Sequence, residues 1–234
     1  MSAPLEMGLR ELHDGPPFVI PNPWDVGSAK VLESLGFPAL ATTSSGFAWT
    51  LGKEDGEATL DEVVGHVRAI AAAVSIPVSV DLENGYGPPE IAIRRVAEAG
   101  AQGGSIEDWD GERLYDVDEA AERVRTAVEA APTDFVVVGR AENHIHGVDD
   151  LDDTIARLQA YEAAGAHCLY APGLRTVEQI RAVCSAVSKP VNVLLTRELT
   201  VQEIFDAGAQ RVSVGGWLTW VARDALVAAA SALR

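Results

Sequence analysis

AEAGAQGGSIE at 97–107, YEAAGAHCLYA at 161–171 and FDAGAQRVSVG at 205–215 repeat one phrase. Each begins in the last turn of an Ala-rich amphipathic run, passes a Gly-Ala turn and ends in a short apolar run. Glycine accepts the left-handed conformation that closes a helix, and the run after it is short enough for a buried strand. The phrase is therefore a recurring joint from helix to strand. Working outward, strand-like runs lie at 18–24, 39–45, 77–83, 103–109, 135–143, 167–173, 190–196 and 211–216. Helical patterns lie near 25–35, 60–73, 88–99, 117–131, 149–164, 176–187, 200–207 and 218–233. Thr59, Pro88-Pro89 and Thr200 mark helix starts, and Gly36, Gly100, Gly165 and Gly208 mark stops. Eight strands, each followed by a helix, predict a closed (β/α)8 TIM barrel. An open doubly wound sheet shares the periodicity and stays as the alternative. No Pro- or Ser-rich linker divides the chain, so one domain over 1–234 is expected.

The chain has 234 residues, 47% of them hydrophobic, enough for a sizeable core. Lys+Arg 18 against Asp+Glu 35 gives a net charge of −17, a field that repels nucleic-acid phosphates and anionic lipid. Charged residues interrupt every apolar stretch before the ~20 residues a membrane span needs. The N-terminus lacks a signal-peptide pattern. Cys168 and Cys184 cannot form a disulfide framework and are read as reduced apolar residues. A cytoplasmic protein is expected, without nucleic-acid or membrane partners.

Barrel active sites assemble at the carboxyl ends of strands, and polar residues collect there. The third strand ends Asp81-Leu82-Glu83, the fourth Glu107-Asp108 and the fifth Arg140-Ala141-Glu142. Strand alternation puts Asp81 and Glu83 on one face, with Glu107 beside them. Three converging carboxylates repel one another, and a hard dication such as Mg²⁺ relieves this with a few carboxylate oxygens plus water. Arg140 suits bidentate binding of a substrate carboxylate. The same residues would also make an ion-pair network that merely closes the barrel top.

At this point a resemblance enters. PNPWDVGSAKVLESLGFPALATTSSGFAWTLGKEDGE, PVSVDLENGYG, GAQGGSIEDW, VVVGRAEN, GAHCLYAPG and KPVNVL, in this order, resemble the isocitrate lyase/phosphoenolpyruvate mutase superfamily over almost the whole chain. The resemblance implies a Mg²⁺-dependent enzyme, with Mn²⁺ as a substitute, acting at C3 of a small 2-oxo or 2-hydroxy acid through an enolate. It implies Asp81 as the main metal-side carboxylate, with Glu83 and Glu107 acting directly or through water. It implies Asp55 as a further acid near the site, and a carboxylate-holding turn of Ser45, Gly46 and Phe47 capped by Trp24. Arg140 and Asn192 match its polar positions on strands five and seven. Carbon–carbon cleavage ranks first. Oxaloacetate-type decarboxylation, P–C bond mutase or hydrolase chemistry and a non-catalytic 2-oxo acid binding protein are alternatives.

The chain also departs from the pattern. Family lyases carry a Lys-Cys-Gly-His type loop after strand four, whereas residues 109–116 read WDGERLYD, without Cys or His. Glu112, Tyr115 and Tyr170 are offered as replacement acid/base groups. The family often swaps a C-terminal helix between subunits, and a homo-oligomer is expected here. His144 and His146 form an H-x-H pair that could be half of a zinc site or plain loop residues. Gly215-Gly216 could bind phosphate or allow close packing, and Trp217 and Trp220 are read as core or interface anchors.

Overall fold

The computed structural model describes residues 7–234. The strands are β1 (Phe18–Ile20), β2 (Leu40–Ala41), β3 (Val78–Asp81), β4 (Gly103–Glu107), β5 (Val136–Arg140), β6 (Cys168–Tyr170), β7 (Val191–Leu194) and β8 (Arg211–Ser213). The helices are α1 (Leu9–His13), α2 (Val26–Ser34), α3 (Ser44–Thr50), α4 (Leu60–Ala71), α5 (Pro89–Glu98), α6 (Val117–Ala130), α7 (Leu151–Ala163), α8 (Val177–Ala186), α9 (Val201–Asp206) and α10 (Trp217–Ser231). Thr59, Thr176 and Thr200 each cap a helix reciprocally with Glu62, Gln179 and Glu203. Gly36, Gly100, Gly165 and Gly208 take φ values of 86°, 104°, 96° and 109°, as the helix-stop reading requires.

All eight strands pair in parallel, in the order β1-β8-β7-β6-β5-β4-β3-β2. The β1/β2 seam is too short for a ladder and is stitched instead. Ala41 donates its N–H to Pro21 O at 3.1 Å. Buried Asn22 donates to Thr42 O at 2.9 Å and accepts from the Val214 and Gly215 amides at 2.8 and 2.9 Å. One side chain thus ties β1, β2 and β8 together, and the sheet is a nearly closed (β/α)8 barrel rather than an open doubly wound sheet.

Alternation along the strands separates two environments. Val136 and Val138 face inward with Phe18, Ile20, Ala41, Cys168 and Tyr170, and α1 adds Leu9 and Leu12 to this inner core. Val137 and Gly139 face the helices. Tyr161 of α7 packs so close that a Cβ on Gly139 would meet its Cβ at 2.8 Å.

Two helices were not expected. The pattern predicts strand over 39–45, yet only Leu40 and Ala41 pair as strand, and α3 begins at Ser44 because Thr43 caps it. Similarly, α1 is a five-residue element whose buried Leu9, Leu12 and His13 are held by the barrel rather than by helix propensity.

Candidate active site

Arg140 ends β5 and organises the mouth of the barrel. Its Nη1 lies 3.3 Å from Asp81 Oδ1 and 3.2 Å from Glu107 Oε2, while Nε donates to Glu142. Its guanidinium lies over the Tyr170 ring, 5.2 Å from the centroid. Asp81 is fixed on both oxygens: Oδ2 accepts from Ser44 N–H at 3.2 Å and Oδ1 from Glu83 N–H at 3.3 Å. Ser44 also hydrogen-bonds Asp55, which joins that loop acid to the cluster.

Glu83 reaches the cluster by a different route from the expected one. β3 ends at Asp81, so Glu83 is not on the strand; it sits in the following turn with φ of 47°, and Tyr86 donates its hydroxyl to it. The turn, not strand alternation, therefore brings Glu83 to the mouth. The next acid after Glu107 parts from it as well: Asp108 turns outward and is 2% exposed.

Electrostatically the cluster is overloaded. Burial pushes Glu83 up to about 7, with Asp81 and Asp55 repelling its charge and the Tyr86 hydroxyl opposing the shift. Burial also raises Glu107 well above the usual carboxylate range; Arg140 opposes this, and Glu142, Asp81 and Glu83 add to it. Asp55 is raised by burial and by Asp81, against its bond to Ser44. Burial works against the charge of Arg140, but Glu107, Glu142 and Asp81 hold it protonated. One guanidinium balances only part of this negative charge.

Two cavities open here. The inner one, about 200 Å³, runs into the barrel past Ser45, Asp55, Asp81, Arg140, Asn192 and Arg211. The outer one, about 460 Å³, is walled by Asp55, Glu83, Glu107, Asp110, Glu142 and His146. An all-oxygen donor set with surplus negative charge fits a hard dication held by few protein oxygens plus water. Among the described residues no three His, Cys, Asp or Glu side chains are arranged to hold a metal ion directly. The fit is therefore to a sparsely ligated ion at Asp81, with Asp55, Glu83 and Glu107 around it, rather than to a closed three-carboxylate cage.

The carboxylate turn is narrower than expected. Phe47 N–H donates to Thr43 O within α3, and Gly46 N–H faces Thr43 Oγ1 at 3.5 Å. The Phe47 ring is buried and stacks on His66, with centroids 4.0 Å apart. Trp24 lies behind Gly46 rather than along either cavity; a Cβ on Gly46 would come 3.1 Å from the Trp24 Cβ. Ser45 is left facing the inner cavity, opposite Gly215 and Gly216. A Cβ on Gly216 would meet Ser45 Oγ at 2.7 Å, so this pair permits close packing. Asn192 lines the inner cavity and donates to Ser213 Oγ at 3.0 Å.

Other candidates separate cleanly. The loop after β4 is a tight hairpin in which Trp109 bridges Leu114 and Asp110 Oδ1 accepts the Glu112 and Arg113 amides. Glu112 and Tyr115 line neither cavity, whereas Tyr170 lines the inner one. His144 meets Asp149 at 2.9 Å, while His146 stacks on Trp109 and lies 3.5 Å from Glu142 Oε2, so the H-x-H pair does not converge. The sequence gives no role to Asn22, Thr43, Ser44 and Arg211, and marks Glu142 only as a polar residue at the end of strand five. The run TTSSG, a polar cap before a helix, was the available signal for two of them.

The family model of phosphoenolpyruvate phosphomutase matches residues 9–234. The chain belongs to that family, within the isocitrate lyase/phosphoenolpyruvate mutase superfamily. It is 33% identical to an oxaloacetate decarboxylase of Rhodopseudomonas palustris (strain BisB5), across 97% of this chain and 83% of that one. A candidate lyase/mutase from Burkholderia cenocepacia J2315 superposes with TM-score 0.93 at 46% identity, covering 96% of this chain and 86% of its own. Phosphonopyruvate hydrolase, solved with oxalate and Mg²⁺, superposes with TM-score 0.89 at 25% identity, covering 97% and 85%. The protein is an enzyme of the carbon–carbon lyase and mutase type. Among the described residues no helix is long and apolar enough to cross a membrane.

Proposed function

We propose that this enzyme is a Mg²⁺-dependent lyase that cleaves a bond at C3 of a small 2-oxo or 2-hydroxy acid, leaving an enolate. The observation that carries the reading is the convergence of Asp81, Glu107 and Glu142 on Arg140, with Asp55 and Glu83 beside them. Ser45, which faces the inner cavity, receives the substrate C1 carboxylate. The Ser44 amide keeps Asp81 oriented toward the cation. Arg140, fixed by three carboxylates and the Tyr170 ring, places permanent positive charge where anionic character develops, and a preorganised charge stabilises a transition state most effectively. A bound Mg²⁺ would supply the positive charge against which a 2-oxo acid delocalises the electron pair left at C3.

The outer cavity favours carbon–carbon over P–C chemistry. Its wall carries Asp55, Glu83, Glu107, Asp110 and Glu142 against Arg140. A carboxylate leaving as neutral CO₂ escapes the repulsion of that wall, whereas a phosphonate dianion does not. An oxaloacetate-like acid is therefore the preferred substrate class. The test is pyruvate release from oxaloacetate and from 2-methylisocitrate, with Mg²⁺ and with excess chelator, each corrected for the protein-free rate. Chelator-sensitive turnover that Asp81→Ala abolishes is expected. Turnover indifferent to both changes would overturn the reading.

A further inference from the structure

The floor of the inner cavity holds a cation that the lyase reading does not use. Arg211, the first residue of β8, is 4% exposed and lines the inner cavity. Its Nε donates to Asn192 Oδ1 at 2.9 Å, and its Nη1 lies 3.4 Å from His13 Nε2. His13 Nδ1 faces the Leu9 carbonyl at 2.8 Å and must donate to it, which leaves Nε2 as the acceptor of a neutral ring. Burial, and then the charge of Arg211, hold that imidazole down to about 3, so it stays neutral at physiological pH. Both partners of the guanidinium are thus uncharged.

This sets Arg211 apart from the other arginines inside the fold. Arg140 faces Asp81, Glu107 and Glu142, and Arg157 faces Asp108 and Asp153. Among the described residues no carboxylate pairs with Arg211. A guanidinium does not lose its proton to escape burial, and a buried charge without a counter-ion is strongly disfavoured. The cavity beside it is lined by the hydroxyls of Ser79, Ser105 and Ser213, while the Asn192 amide is already engaged by Ser213 Oγ and Arg211. Hydrogen-bond donors around one uncompensated positive charge complement an anion.

We infer that the barrel interior contains a second binding site, at Arg211, for a small monovalent anion of the size of a halide or formate. One unpaired guanidinium calls for a single negative charge, and the inner volume of about 200 Å³, shared with the mouth, has room for such an ion. The site opens into the same cavity as Asp81 and Arg140, but anion binding at Arg211 requires no turnover, so its test is independent of the lyase assignment. Crystals of the wild-type protein soaked in bromide should show an anomalous peak in contact with the Arg211 guanidinium. In solution, bromide and formate, added at constant ionic strength against bulky gluconate, should each raise the melting temperature saturably, and Arg211→Met should abolish both responses. Ordered water alone beside Arg211 in the bromide crystals would overturn the inference, as would equal anion responses in wild type and Arg211→Met. If Arg211→Met does not fold, the bromide crystals decide alone.

Discussion

Two buried charge clusters start one residue apart at the end of β4, at Glu107 and Asp108, and they are built on opposite principles. Asp108 accepts from the Glu142 amide at 2.8 Å, from Arg157 Nη1 at 2.9 Å and from the Tyr161 hydroxyl at 2.5 Å. Arg157 also donates to Asp153 Oδ2 at 2.7 Å and to Tyr115 O at 2.9 Å, so acid and base are both saturated. Its neighbour Glu107 shares one guanidinium with Asp81 and Glu142, and burial raises its pKa far out of the carboxylate range. The first cluster fastens α7 to the outside of the barrel. The second keeps unbalanced negative charge at the mouth, where a cation and a substrate can use it. Saturation separates structural ion pairs from a site poised for chemistry.

That contrast can be broken by mutation. The largest effect is expected at the mouth: Asp81→Ala should lower kcat/KM by about 10³-fold or more, while the metal-free protein loses little stability to denaturant, because relief of repulsion at Glu83 and Glu107 offsets the lost bonds to Ser44, Glu83 and Arg140. Asp108→Ala should do the opposite, costing about 3–5 kcal/mol of stability because Arg157, the Tyr161 hydroxyl and the Glu142 amide all lose a buried partner. Equal stability losses in the two variants would erase the distinction. Glu107→Gln should raise the metal-free protein's stability by about 1 kcal/mol, as relief of a functional conflict does, and still remove most turnover.

The two clusters should also respond differently to pH. Glu83 is raised from 4.5 to about 7 in the folded state, so its contribution to stability is fully present below about 4.5 and lost as pH rises through about 7. Chelated protein should therefore lose stability between these limits by urea unfolding. Glu83→Gln should flatten that part of the profile, and Asp108→Asn should leave its slope unchanged.

How much of this was legible in the sequence depended on whether a feature was local. The Gly-Ala joints marked the barrel because each combines a helix stop with a strand start inside eleven residues. Asp81, Glu107 and Arg140 were visible because strand ends in a barrel converge by topology. Glu83 reaches the mouth through a left-handed turn, which lies outside any strand rule. Asn22 and Arg211 were illegible: their partners lie far along the chain, at Thr42, Val214 and Gly215 for one and at His13 and Asn192 for the other. The α3 helix was overlooked because a seven-residue helix set by a threonine cap leaves no apolar periodicity.

If acids at the strand ends enlist a cation to stabilise an enolate, the enzyme should also labilise the C3 protons of pyruvate, which NMR detects. Deuterium incorporation at the methyl group of pyruvate would be followed in D₂O with the protein and Mg²⁺. Enzyme-dependent exchange that stops with chelator and in Asp81→Ala is expected. Exchange that persists unchanged under both conditions would contradict the role of the cation.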